Sequence, residues 1–183
     1  MSFLPRVSVL AVAAFIAAPN IASASNTINF SGEVTNQTCS AVVDGNTDPT
    51  VVLESVPASA LNGAIGKTTG ETTFTLRLTG CAAPVEADEH FTALFQATNP
   101  TSAGNLTNTA SGGATGVALQ LLKAPGGTAV NLAGSAAVAA GDIVLKSGQN
   151  SASYDYAVQY VSEAASVTPG PVLGSVTYTL RYE

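Results

Sequence analysis

Apolar side chains recur at every second position along most of this chain, a spacing that sends alternate residues to opposite faces of a sheet and admits strands and little else. Ile28, Phe30, Gly32 and Val34 alternate with Asn29, Ser31, Glu33 and Thr35, and Phe74, Leu76 and Leu78 with Thr75, Arg77 and Thr79. The same period places Val51 with Leu53, Phe91 with Ala93 and Phe95, and Val117 with Leu119 and Leu121. Tyr154, Tyr156, Val158 and Tyr160, and the terminal Val176, Tyr178, Leu180 and Tyr182, complete seven expected strands. Between them lie segments that turn the chain: Asn99-Pro100, Ser111-Gly112-Gly113, Pro125-Gly126-Gly127 and Pro169-Gly170-Pro171. No amphipathic pattern of three helical turns occurs, since the Ala-rich run Ser135 to Ala140 is short and bracketed by Gly134 and Gly141. Many short strands with Gly/Pro turns imply an all-β, immunoglobulin-like β-sandwich without a second domain. An outer-membrane barrel would need two aromatic girdles, whereas only 6% of the residues are aromatic and none is Trp.

Composition removes several functions. Lys and Arg number 6 against 12 Asp and Glu, for a net charge of −6 and no basic cluster, so nucleic acid is not an expected partner. One His and two Cys leave little material for metal cages or histidine-based catalysis, and neither a catalytic nor a metal site is expected. His90 stands beside Glu86, Asp88 and Glu89, which reads as a solvated acidic turn because the Gly-punctuated ligand spacing of a calcium loop is missing. The Ser111 to Gly116 run lacks the Lys and following helix of a phosphate-cradling loop. The triplets Asn36-Gln37-Thr38 and Asn105-Leu106-Thr107 fit the N-glycosylation pattern, but matches this short arise by chance.

The amino terminus reads as a processing segment. Arg6 precedes the apolar run Val7 to Ala18, too short to span a bilayer; Pro19 and Asn20 break it, and Ala22-Ser23-Ala24 suits a signal peptidase. Residues 1–24 are therefore expected to be a signal peptide cleaved between Ala24 and Ser25, which leaves 159 of the 183 residues. In an oxidising compartment the two cysteines, Cys39 and Cys81, are expected to bond to each other.

These features occur in a telling order. A signal is followed at once by alternating Ile28 to Val34, then Cys39, then Cys81 closing a strand, and the chain ends on alternating Tyr178-Thr179-Leu180-Arg181-Tyr182-Glu183. In this order the chain resembles the chaperone–usher pilins, and among them the major subunit of type 1 fimbriae. The strand Gly116 to Leu122, and Tyr154 to Val161 with the Thr168-Pro169-Gly170 connection after it, are similar too.

The resemblance implies a sandwich that lacks its final strand and is completed by donor-strand exchange. Residues 25–38 would be an amino-terminal extension and 39–183 the pilin domain. Ile28, Phe30, Gly32 and Val34 would form the face inserted into a neighbouring subunit, with Gly32 where the acceptor pocket is shallow. Val176, Tyr178, Leu180 and Tyr182 would line this subunit's own groove and meet a periplasmic chaperone. Delivery through an outer-membrane usher to a surface fimbria follows, with identical or related pilins as partners and neither cofactor nor enzymatic activity. A minor adaptor, and from another class a monomeric secreted module that binds ligand through its loops, are the alternatives. Only Ser25 to Thr27 would precede Ile28, a shorter lead than the family's major subunits usually show; cleavage nearer Ala18 would lengthen it.

Overall fold

The computed structural model describes residues 38–47 and 49–183. Their elements, in chain order, are β1 (Ser40–Val43), β2 (Thr68–Thr79), β3 (Glu89–Ala97), β4 (Leu106–Thr107), β5 (Val117–Leu122), β6 (Val138–Leu145), β7 (Ala152–Ser162) and β8 (Val176–Tyr182). One 3-10 turn, Ala58–Ala60, is the only helical element among the described residues. Every ladder is antiparallel. Five strands form one sheet in the order β1-β2-β7-β5-β4, and three form the other in the order β6-β3-β8. The two inner faces meet as an immunoglobulin-like sandwich.

The expected alternation fills the core. Phe74, Leu76 and Leu78 from β2, Leu119 and Leu121 from β5, and Tyr156 and Val158 from β7 turn inward from the larger sheet. Phe91, Ala93 and Phe95 from β3, with Ile143 and Leu145 from β6, meet them from the smaller one. At the centre the Tyr156 ring lies 5.0 Å edge-on from Phe95 and 5.7 Å from Phe74, within the range of favourable aromatic pairs.

Three strands escaped the periodicity argument. β1 and β4 are too short to display a period. β6 begins within the Ala-rich run, and its alternation is broken at Gly141, which has φ +80° and causes the register slip between the Phe91–Ile143 and Ala93–Ala140 pairs. A bulge of this kind shifts the pattern by one residue and hides the strand. The bulge also makes room for a buried phenol: Tyr156 Oη donates to Ala140 O at 2.8 Å, and a Cβ at Gly141 would collide with that hydroxyl. In the other direction, Val51 and Leu53 do not belong to a strand; the segment is extended but no neighbouring strand pairs with it. Side-chain alternation reports which face is buried, whereas a strand also needs a partner edge.

Burial pushes the Tyr156 phenol well above its ordinary value near 10, with the neighbouring Tyr154 adding to the shift. A raised folded-state value means stability is complete below pH about 10, where the unfolded phenol is also protonated, and is lost as pH rises beyond it. Denaturant midpoints measured between pH 8 and 12 should therefore fall above pH 10. Tyr156→Phe should flatten that fall while costing about 1–3 kcal/mol at pH 7, because it orphans the Ala140 carbonyl.

Candidate functional site

The smaller sheet ends on β8, and that edge differs from the rest of the molecule. Val176, Tyr178, Leu180 and Tyr182 all turn inward and pack against the core, yet each is only half-buried. Their cross-strand neighbours on β3, Phe91, Ala93 and Phe95, are at most 1% exposed. Adjacent strands on one inner face should be equally covered by the opposing sheet, so the contrast marks a place where cover runs out. Tyr182 leans on Phe91 with ring centres 4.9 Å apart, and Tyr178 on Phe95 at 6.4 Å. Across the opening, Tyr178 Oη reaches Ala41 O on β1 at 3.4 Å.

The alternation of β8 extends backwards beyond its ladder. Val172 and Gly174 are half-buried while Leu173 and Ser175 are exposed, so one continuous apolar row runs from Val172 to Tyr182. The approach at Gly174 is close: a Cβ there would sit 3.0 Å from Leu106 Cβ and 3.3 Å from Leu119 Cδ1, so a larger residue would press on both side chains.

A second extended segment also has an inward row. In residues 50–56, Val51 and Leu53 pack on the core and Val56 is half-buried. Among the described residues this stretch makes no backbone–backbone hydrogen bond; its one polar contact is Tyr160 Oη donating to Glu54 O at 3.2 Å. The main-chain polar groups of Thr50 to Ser55 would ordinarily be paired when their side chains line a core.

At one end, the two rows converge on a cavity of about 340 Å³ lined by Val56, Leu61, Val117, Tyr160, Val167 and Val172 among others. Val172 and Tyr160 touch both the main core and the small cluster of Leu61, Ala114, Val117 and Val167, so the cavity continues the core. Chemically this is a seam with apolar walls beside a strand, β8, that ends the order of described strands, a shape suited to an extended peptide. The periodicity had marked Val176 to Tyr182, but the 50–56 wall, Val172 and the cavity were not anticipated as parts of a site; the backward run of the alternation to Val172 was the available signal.

The remaining candidates fall elsewhere. Cys39 and Cys81 are bonded, tying the residue before β1 to the end of β2. Ile28, Phe30, Gly32 and Val34, and the expected cleavage pair Ala24 and Ser25, lie outside the described residues. His90 Nδ1 meets Asp142 Oδ1 at 2.8 Å on an exposed surface, and Asp88 accepts from Lys146 Nζ at 2.7 Å and from Ser147 N at 2.9 Å, contacts that hold its carboxyl below the usual range. Among the described residues no group of acidic, His or Cys side chains is arranged to hold a metal. Asn105 is only 5% exposed and donates to Glu163 Oε1 at 2.7 Å, an arrangement that hides its triplet from glycosylation in the folded body. No described helix is long and apolar enough to cross a membrane.

Comparison with known proteins bears on this seam. The fimbrial protein family profile matches residues 28–183. The F17 fimbrial protein of Escherichia coli is 38% identical over 159 residues, covering 85% of this chain and 86% of the relative. The type 1 fimbrial subunit of Salmonella typhimurium is 30% identical over 182 residues, covering 95% and 92%. Among solved structures, a chaperone–usher pilus described for its rod uncoiling has a chain that superimposes with a TM-score of 0.57 at 18% identity, covering 91% of this chain and 100% of that one, a likeness of fold.

The disulfide closes a loop 42 residues apart in sequence and anchors the chain where it enters the larger sheet. The double variant Cys39→Ser/Cys81→Ser should lose about 4 kcal/mol of stability on a loop-entropy model, read as a lower urea midpoint with an unchanged far-ultraviolet spectrum.

Proposed function

Because this chain belongs to the fimbrial protein family, whose members are non-enzymatic structural subunits of surface appendages, we propose that it is the repeating shaft subunit and polymerises head to tail by donor-strand complementation. The observation that carries this reading is the seam: two inward-facing rows, 50–56 and 172–182, with no described strand between them. An inserted strand would pair with β8 on one side and with 50–56 on the other, and cover both rows of apolar side chains. Residues 28–34 have the matching period, with Ile28, Phe30 and Val34 on one face and polar residues on the other.

Energetics favour the joint. Burial of Ile28, Phe30 and Val34 contributes about 1.5–3 kcal/mol each, and each ladder hydrogen bond adds roughly 0.5–1.5 kcal/mol net. An antiparallel donor, like every described ladder, directs Val34 towards Val172 and the cavity, and with Val34 opposite Val172 its Ile28 falls opposite Tyr178. Since the donor becomes part of the acceptor's core, separation requires partial unfolding, which makes the joint kinetically durable. The donating and accepting surfaces differ, so the contact does not close on itself and a filament results.

Before assembly the same seam is a hazard. Half-wet apolar rows on a strand at the end of its sheet template aggregation, which accounts for a periplasmic chaperone covering Val176, Tyr178, Leu180 and Tyr182 until an outer-membrane usher exchanges it for the next subunit's extension. Residues 25–38 serve as that extension once the signal is cleaved after Ala24. The period-two segment 28–34 supplies a donor, which argues against a terminator.

Phe30→Asp and Gly32→Arg should each abolish fibres while leaving the subunit's complex with its chaperone intact, since the donor is not yet engaged at that stage. Electron microscopy of the cell surface and co-purification of the chaperone read the two outcomes; normal fibres from either variant would contradict the proposal.

A further inference from the structure

Two turns marked by the sequence, Ser111-Gly112-Gly113 and Pro169-Gly170-Pro171, lie against each other beside the cavity. Their contact is backbone on backbone: a Cβ at Gly170 would sit 2.5 Å from Ala114 N and 2.8 Å from Gly113 C, and one at Gly113 would sit 2.8 Å from Pro171 O. Asn108 joins them. Its Nδ2 donates to Ala114 O at 2.8 Å and to Pro171 O at 3.0 Å, while its Oδ1 accepts from Ala110 N at 3.1 Å and Leu173 N at 2.9 Å. All four bonding positions of the amide are used, two carbonyls facing the nitrogen and two N–H groups facing the oxygen, so only this orientation of the amide satisfies them.

Further bonds complete the clasp. Ala114 N donates to Pro171 O at 3.0 Å, and Leu173 O accepts from Thr109 N at 2.8 Å and from Thr109 Oγ1 at 3.1 Å. Val172 is thereby held between two residues whose carbonyls are each doubly engaged. Its side chain forms a wall of the cavity and is the first member of the row that continues into β8. Asn108 does not itself line the cavity; its effect passes through the backbone of residues 171–173 and of Ala110 and Ala114.

We propose that Asn108 is a positioning residue for strand insertion: by clasping residues 171–173 it holds the cavity at the end of the seam in the shape that receives the donor's Val34 side chain. This rests on the donor-strand reading above. A clasp that only stabilised the fold would affect all donors alike, whereas one that shapes the cavity governs how strongly insertion depends on residue 34.

The test uses the mature subunit in complex with its periplasmic chaperone, challenged with a synthetic peptide of residues 25–37 or with the same peptide carrying Val34→Ala, and follows chaperone release on native gels. The wild-type subunit should take up the Val34 peptide about tenfold faster than the Ala form, the effect of two methyl groups finding a formed pocket. Asn108→Ala should bring the two rates within about twofold of each other. Thr75→Val, which removes an exposed hydroxyl contact to Asp155 far from the clasp, should keep the wild-type ratio. An Asn108→Ala subunit that retains the full ratio overturns the proposal. Should that variant yield no complex, Thr109→Val, which deletes one hydroxyl of the clasp, decides: a ratio reduced to about fourfold supports the role, and an unchanged ratio overturns it. If the wild-type subunit takes up neither peptide, the donor-strand reading itself fails, and the role of Asn108 with it.

Discussion

The unequal sheets govern everything else in this molecule. Among the described residues five strands face three, and no described strand follows β8 in its sheet, beside a row of half-buried apolar side chains. Burial of apolar surface and pairing of strand edges are the two requirements of any β-sandwich, and here both fail at the same place. A peptide of period two is the one kind of partner that meets both requirements together. The family membership and the geometry thus lead to the same kind of assembly.

The rest of the body is built to remain ordered while that seam stays open. The centre of the core is dense, with Tyr156 between Phe74 and Phe95 and its hydroxyl satisfied through the bulge at Gly141. The disulfide fastens the leading edge of β1 to the end of β2. At the other end, the Asn108 clasp ties the segment ahead of β8 to the 108–114 loop. Each device lies beside the seam or behind it, and none occupies it.

Much of this was readable from side-chain spacing. Where one face of a strand is buried, as for Phe74-Leu76-Leu78, polar and apolar residues alternate and the strand is found, and Phe91-Ala93-Phe95 keeps the apolar period although Leu94 interrupts the polar one. Spacing fails where a bulge resets the phase, as at Gly141, or where the strand is four residues or fewer, as for β1 and β4. It misleads at Val51 and Leu53, whose alternation is that of a strand but which no described strand pairs with. That failure is informative, since local sequence reports burial and cannot supply a neighbour. Asn108 was invisible for a different reason: its four bonds join segments up to 65 positions apart, and no local pattern records such a meeting.

Amide hydrogen exchange on assembled fimbriae, compared with the isolated subunit freed of its chaperone, tests the open seam most directly at residues 50–56, which make no backbone–backbone hydrogen bond among the described residues. The account predicts fast exchange across this segment before assembly and protection approaching that of β3 within the filament. Equally fast exchange in both states, with the fimbriae intact, would show that no strand enters between 50–56 and β8, and would contradict the account.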